Sequence, residues 1–169
     1  MNPLRLLRIF GARQRRDLEL FPPWWLLNIT VLENRDHWRH VRIRLPLGFF
    51  TRNLGGHMFG GAQANLADPI AAIACAHIFP EYSVWTRAMT IDFHALGDSD
   101  LELRFDFDPA LEARIRAELE SKGRSTPSFE YGYYRADGTQ CTHINATVAI
   151  RPKGYRAQPG AYTPAEGEP

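Results

Sequence analysis

From Met58 to Phe79 the chain is apolar or small on nearly every side of a helical wheel, and Asp68 is its only formally charged residue. Leu66, Ile70 and Ile73 share one helical face, while Gly61, Ala64, Ala72 and Cys75 share the opposite one. A helix without a polar stripe is stable in water only when other elements cover it all round. The remaining chain must therefore wrap it. With 169 residues, 44% apolar and 23% charged, there is material for one domain with a substantial core. A net charge of +1 gives no reason to expect a nucleic-acid partner. The longest apolar run, Ile70 to Phe79, is about half of the roughly 20 residues a membrane-spanning helix needs, so no membrane span is expected.

The wrapping material reads as antiparallel strands. Val41, Ile43 and Leu45 alternate with His40, Arg42 and Arg44, and Leu101, Leu103, Phe105 and Phe107 alternate with Glu102, Arg104 and Asp106. Ile144, Ala146, Val148 and Ile150 repeat the pattern. Asp137-Gly138 suits a tight hairpin turn pairing about residues 128–135 with 139–151. A second, shorter helix is announced by Asp108 as N-cap and Pro109 in the first turn, stops at Gly123, and buries Leu111, Ile115 and Leu119.

These signals predict one domain over residues 21–153, entered through the rigid segment Phe21-Pro22-Pro23-Trp24-Trp25. Residues 1–20 form a basic helix or arm, and residues 154–169, rich in Pro, Gly and Ala, a loose tail. The arm has Leu4, Leu7 and Phe10 among five arginines but not the long apolar region of a secretory signal. It reads either as a helix packed on the domain or as a membrane-surface contact, and its short apolar face favours packing. Cys75 and Cys141 lie in apolar text without metal-ligand spacing, which predicts reduced thiols, no metal site and a cytoplasmic protein.

Chemistry is concentrated in the central segment. A buried, unpaired carboxylate costs several kcal/mol, so Asp68 on the small-residue face needs a reason, either bonding nearby backbone or catalysis. Pro69 removes a helix hydrogen bond and kinks the helix there, at a cost of ~3 kcal/mol unless compensated. Gly60-Gly61 falls at the helix start, where N–H groups lack intrahelical partners and the dipole is positive, as an oxyanion hole requires. Asn53, in the Gly-rich loop before it, either donates its amide to a carbonyl or water or simply forms a turn. Thr86 reads either as an ordinary β-branched strand residue or as a hydroxyl near the acid.

The run Asn53-Leu54-Gly55-Gly56-His57-Met58-Phe59-Gly60-Gly61, followed by Leu66-Ala67-Asp68, resembles the active-site segment of hotdog-fold thioesterases of the phenylacetic-acid-pathway type. That pattern is Asn, five residues, His-Gly-Gly, and an acid seven positions after the second Gly; Phe59 stands where the family has His. Pro22-Pro23-Trp24-Trp25, Val84-Trp85-Thr86 through Asp92-Phe93, and a helix before the last hairpin resemble a bacterial, DUF4442-like subgroup without a settled substrate. The resemblance covers about residues 21–153. It implies an α+β hotdog fold, a curled antiparallel sheet around a long central helix, in a homodimer or dimer of dimers. It also implies an acyl-CoA thioesterase, or one acting on acyl carrier protein, with no cofactor beyond the coenzyme A of the substrate. Asp68 would be general base or nucleophile, the Gly60 N–H the oxyanion donor, and Asn53 and Thr86 positioning groups. Gly61, Phe59, Trp85 and Phe93 would shape the acyl slot.

Two other functions fit the same fold. Phe59 in place of His motivates a non-catalytic acyl-ligand binding module. A hydratase or dehydratase would need a His paired with an acid, and neither His57 nor His77 is spaced for that. Arg87, Arg124, Arg151 and Lys153 read either as contacts to nucleotide phosphates or as solvated surface, and solvated surface is favoured for each. Helix geometry adds one expectation: Gly60 and Asp68 lie about 12 Å apart along the axis, so one helix cannot easily bring both to one carbonyl. A second chain, antiparallel across a twofold axis, can.

Overall fold

The computed structural model describes residues 18–156. Most of the expected arm and tail lies outside the described residues. Pro22 and Pro23 start a short helix α1 (Pro22–Leu26), where missing N–H groups cost nothing, and its Trp24 is buried. Strands β1 (Thr30–Arg35) and β2 (His40–Leu45) follow. Their connecting turn carries Asp36, His37 and Trp38 at φ 51°, 53° and 71°, a left-handed run that L side chains disfavour. Trp38 is buried there and stacks on His77, with centroids 5.1 Å apart and planes within 11°.

Beyond the central helix come β3 (Tyr82–Phe93), β4 (Leu101–Asp106), a helix over Pro109–Lys122, β5 (Ser128–Tyr134) and β6 (Gln140–Pro152). The strands form one six-stranded antiparallel sheet in the order β1-β2-β4-β5-β6-β3. The alternation read from sequence places Val41, Ile43, Leu45, Leu101, Leu103, Phe105, Ile144, Ala146, Val148 and Ile150 in the core. The β5–β6 hairpin forms as the Asp137-Gly138 turn predicts, with Gly138 at φ 87°.

The helix before this hairpin obeys its local signals. Asp108 Oδ1 accepts the Ala110 N–H at 2.9 Å, and Gly123 ends the helix at φ 65°. Ile115 and Leu119 are buried, whereas Leu111 is only partly so. Glu112 accepts two bonds from Arg39, each at 2.8 Å, tying the helix to the β1–β2 side of the sheet.

The central helix expected over 58–79 is interrupted where Pro69 implies a kink, and it starts two residues later than expected. It is two segments, α2 (Gly60–Ala67) and α3 (Ile70–Ile78), so the last helix is α4. Met58 and Phe59 precede the first turn: Phe59 is the extended N-cap residue at φ −70°, ψ 126°, and the two N–H groups donate to the Gly97 and Thr51 carbonyls, each at 2.7 Å. Pro69 causes the internal break. Without an N–H it cannot bond the Asn65 carbonyl, which instead faces the buried Trp24 Nε1 at 3.4 Å.

Candidate active site

Four side chains from outside the helix serve carbonyls around this break. Besides Trp24, the Thr86 hydroxyl donates to the Asp68 carbonyl at 2.7 Å, Tyr131 to the Ala67 carbonyl at 2.9 Å, and Tyr133 to the Gln63 carbonyl at 2.7 Å. Thr142 Oγ1 and Gln63 Oε1, 2.5 Å apart, add a buried link from β6. The carbonyl that Pro69 leaves without its helical partner is thus met by Trp24 of α1, and the sheet adds bonds to neighbouring carbonyls.

Asp68 sits at the break with its N–H on the Ala64 carbonyl, as the C-cap of α2. Its side chain is exposed in the single chain, not buried as the all-apolar helix suggests, because with Gly61, Asn65, Ala72 and Ala76 it lies on the helical stripe that the sheet leaves uncovered. Its charge still reaches the sheet. Burial first, and then the Asp68 carboxylate, push the Tyr131 phenol well above its usual range, so Tyr131 stays protonated and donates.

Thr86 and Phe93 both face the helix, although seven positions apart on one strand they should point to opposite sides. A bulge between Thr86 and Ala88 inserts one residue and restores the phase. Thr86 then opposes Val148, and Phe93 opposes Thr142, both buried. Trp85 points to the other face and stacks on Tyr155 at 6.1 Å, so within one chain it does not reach the helix as expected of a slot residue.

At the far end of α2, the Gly60 and Gly61 N–H groups have no acceptor among the described residues. Two phenyl rings pack there. A Cβ on Gly60 would fall 2.9 Å from Phe93 Cζ, and one on Gly61 2.6 Å from Phe59 Cζ, so a larger residue at either position would displace a phenyl ring from the helix start. Asn53 stands in the preceding loop as a turn former. Its N–H donates to the His57 carbonyl at 2.8 Å and its Oδ1 accepts the His57 N–H at 3.1 Å, which leaves the side-chain amide NH₂ free to donate.

The structure thus gathers the expected residues into two clusters, not one. Asn53, Phe59, Gly60, Gly61 and Phe93 lie at the helix start; Asp68 and Thr86 lie at the break. The sequence reading missed Trp24, Tyr131, Tyr133, Gln63 and Thr142, although Tyr131 and Tyr133, two apart on a strand, were a visible sign of one polar-tipped face. His77 is half-buried, and burial first, then His37, lower its pKa. Neither His57 nor His77 pairs a carboxylate among the described residues, and no three His, Cys, Asp or Glu there are grouped to hold a metal.

A six-stranded antiparallel sheet curled around a central helix is the hotdog fold. The DUF4442 family model, a domain of unknown function, matches residues 18–150, and the chain belongs to that family. Comparison with curated proteins finds no match. Among solved structures, the chain is similar to a Pseudomonas aeruginosa protein described as a probable thioesterase, at 18% identity and TM-score 0.70, covering 89% of this chain and 97% of that one. It is also similar to a thioesterase of Haemophilus influenzae, at 12% identity and TM-score 0.61, covering 94% and 96%. A thioesterase enzyme of Staphylococcus aureus matches at 16% identity and TM-score 0.58, over 75% of this chain and 95% of that one. At such identities the likeness establishes the shared fold.

Proposed function

We propose that the chain hydrolyses the thioester of an acyl-CoA or acyl carrier protein, with Asp68 as general base on water or as nucleophile. The observation that carries this reading is the pair of features on α2: unpartnered N–H groups at Gly60 and Gly61, and an exposed carboxylate at a break clamped by Thr86. The amides meet the charge that develops on the thioester oxygen, and Asp68 takes the proton of the attacking water or attacks the carbonyl. A thiolate leaves readily, so no stronger nucleophile is required.

The two features are separated by the whole of α2, so the reading includes a second copy that brings its Asp68 and Thr86 to the first copy's Asn53 and Gly60. β3 supports this, being a twelve-residue edge strand with β6 on one side only among the described residues. The direct experiment follows thiol release from a panel of acyl-CoAs. Asp68→Asn keeps the shape but loses the proton acceptor, and turnover should fall by roughly 10² or more. Unchanged turnover in the folded variant removes Asp68 from the mechanism. Saturable acyl-CoA binding without any turnover by the wild type would favour the binding-module reading, which the phenyl ring of Phe59 in place of His motivates.

A further inference from the structure

Gln63 is the one residue of α2 that turns a polar side chain into the fold. It is 3% exposed and shares the buried side of the helix with Ala62, Leu66 and Ala67. Its amide is only half used. Oε1 accepts the Thr142 hydroxyl at 2.5 Å, while Nε2, with its two N–H groups, meets no acceptor among the described residues. The fully enclosed side-chain atoms without a partner there are Glu33 Oε1, Asn34 Nδ2, Trp38 Nε1 and Arg135 Nε. Gln63 Nε2 is not one of them, so it opens on space that a small group can reach. A half-paired amide inside a fold is costly, and a methionine would fill much the same space without that cost.

The free N–H groups lie level with the start of α2. Thr142, which holds Oε1, pairs with Phe93 across β6 and β3 and with Tyr133 across β6 and β5. The Phe93 ring in turn lies against Gly60. Along the axis Gln63 is three residues, about 4.5 Å, beyond Gly60, and helical side chains lean toward the helix start. A group bonded to Nε2 is therefore only a few bonds from a carbonyl held at the Gly60 and Gly61 N–H groups. The buried side of the helix decides which part of a substrate arrives there. A carrier must stay outside the fold, so it is the acyl group that enters between α2 and the sheet.

We propose that Gln63 is a specificity-determining residue: its side-chain N–H donates to an oxygen on the acyl group, close to the thioester carbonyl. The preferred substrates carry a keto or hydroxyl oxygen at about the third carbon of the acyl chain, the reach that the rise from Gly60 allows. This rests on the proposed function, which places the thioester carbonyl at Gly60. A plain alkyl chain covers the N–H groups without pairing them, and is disfavoured for that reason.

The test is calorimetric binding of three coenzyme A analogues to the full-length protein. In each a methylene separates the sulfur from the acyl carbonyl, which blocks hydrolysis, and the acyl groups are hexanoyl, 3-hydroxyhexanoyl and 3-oxohexanoyl. The wild type should bind both oxygenated forms about tenfold more tightly than the plain one, the worth of one hydrogen bond. Gln63→Met combined with Thr142→Val removes both ends of the buried link, so neither is stranded, and this protein should bind all three alike. Thr142→Val alone keeps the N–H donors and should keep the preference, which a purely structural tie between Gln63 and Thr142 would not allow. No preference in the wild type, a preference that survives in the double variant, or one lost in Thr142→Val alone overturns the proposal. A preference for the hydroxyl form without the keto form puts the amide oxygen outward and overturns it as well. Thiol release from hexanoyl-CoA by the wild type is read separately. No turnover with the preference intact counts against hydrolysis and leaves the donor assigned; turnover without preference does the reverse.

Discussion

If one site takes Asn53 and Gly60 from one chain and Asp68 and Thr86 from another, two inactive proteins should restore each other. The geometry sets the requirement. Gly60 opens α2 and Asp68 closes it, eight residues and about 12 Å apart at 1.5 Å per residue. A reacting carbonyl needs both the amide donors and the base or its water within ~3 Å, so the two ends of one α2 cannot serve the same carbonyl. Asn53→Ala and Asp68→Ala are made separately, and both positions are exposed, so both proteins should fold. After subunits are exchanged at equal concentration, half the dimers are mixed. In each mixed dimer one site carries both lesions and the other carries neither. Thiol release from an acyl-CoA should therefore recover to about a quarter of the wild-type rate, by twofold counting. With sites contained in single chains, every site keeps one lesion and nothing is recovered. If tagged subunits demonstrably exchange and the rate stays at that of the separate variants, the shared site is refuted.

Thr86→Val removes the hydroxyl from the Asp68 carbonyl and should cost about 1 kcal/mol by urea unfolding, together with a fall in kcat; Thr86→Ser should recover both. Tyr133→Phe strips a fully buried carbonyl contact at Gln63 and should destabilise by about 1–3 kcal/mol in the same measurement. The Arg39 hydrogen bonds, ahead of those from Arg116, hold the Glu112 carboxyl below its ordinary range. Its contribution to stability is thus complete above the unfolded value near about 4.3 and is lost as pH falls through the lower folded value. Glu112→Gln should be less stable than the wild type at pH 7, and the gap should close on acidification, as followed by unfolding midpoint against pH. Cys75 and Cys141 are buried, and burial is the first cause raising both thiols. Native protein should leave a thiol reagent unreacted at pH 8 and consume two equivalents once denatured, which fixes the blank for the hydrolysis assay.

Local chemistry was legible wherever it depended on residues close in sequence. Asp108, Pro109 and Gly123 bound α4, Asp137-Gly138 closes the last hairpin, and period-two alternation marks the buried faces of β2, β4 and β6. Pro69 likewise announces an interruption, because a missing N–H is a property of the residue itself. The acid, the paired glycines and the asparagine were visible as candidates for the same reason: their chemistry travels with their identity.

The positions those groups take relative to one another were decided by contacts that no short window contains. The carbonyls around the break are held by Trp24, Thr86, Tyr131 and Tyr133, which lie 41, 18, 64 and 70 residues from their partners in the chain. A single extra residue after Thr86 reverses the phase of β3, and by that alone sends Phe93 toward Gly60 and leaves Trp85 on the outer face. A bulge is selected by how a strand fits its neighbour and the helix beneath, so alternation within β3 could not reveal it. The exposure of Asp68 has a tertiary origin as well. The apolar wheel over residues 58–79 suggests burial on every side, but within one chain the sheet leaves the stripe of Gly61, Asn65, Asp68 and Ala72 uncovered. Sequence alone marked the candidate residues and determined where the helix must yield; tertiary packing decided which way each of them faces, because facing is fixed by partners far away in the chain.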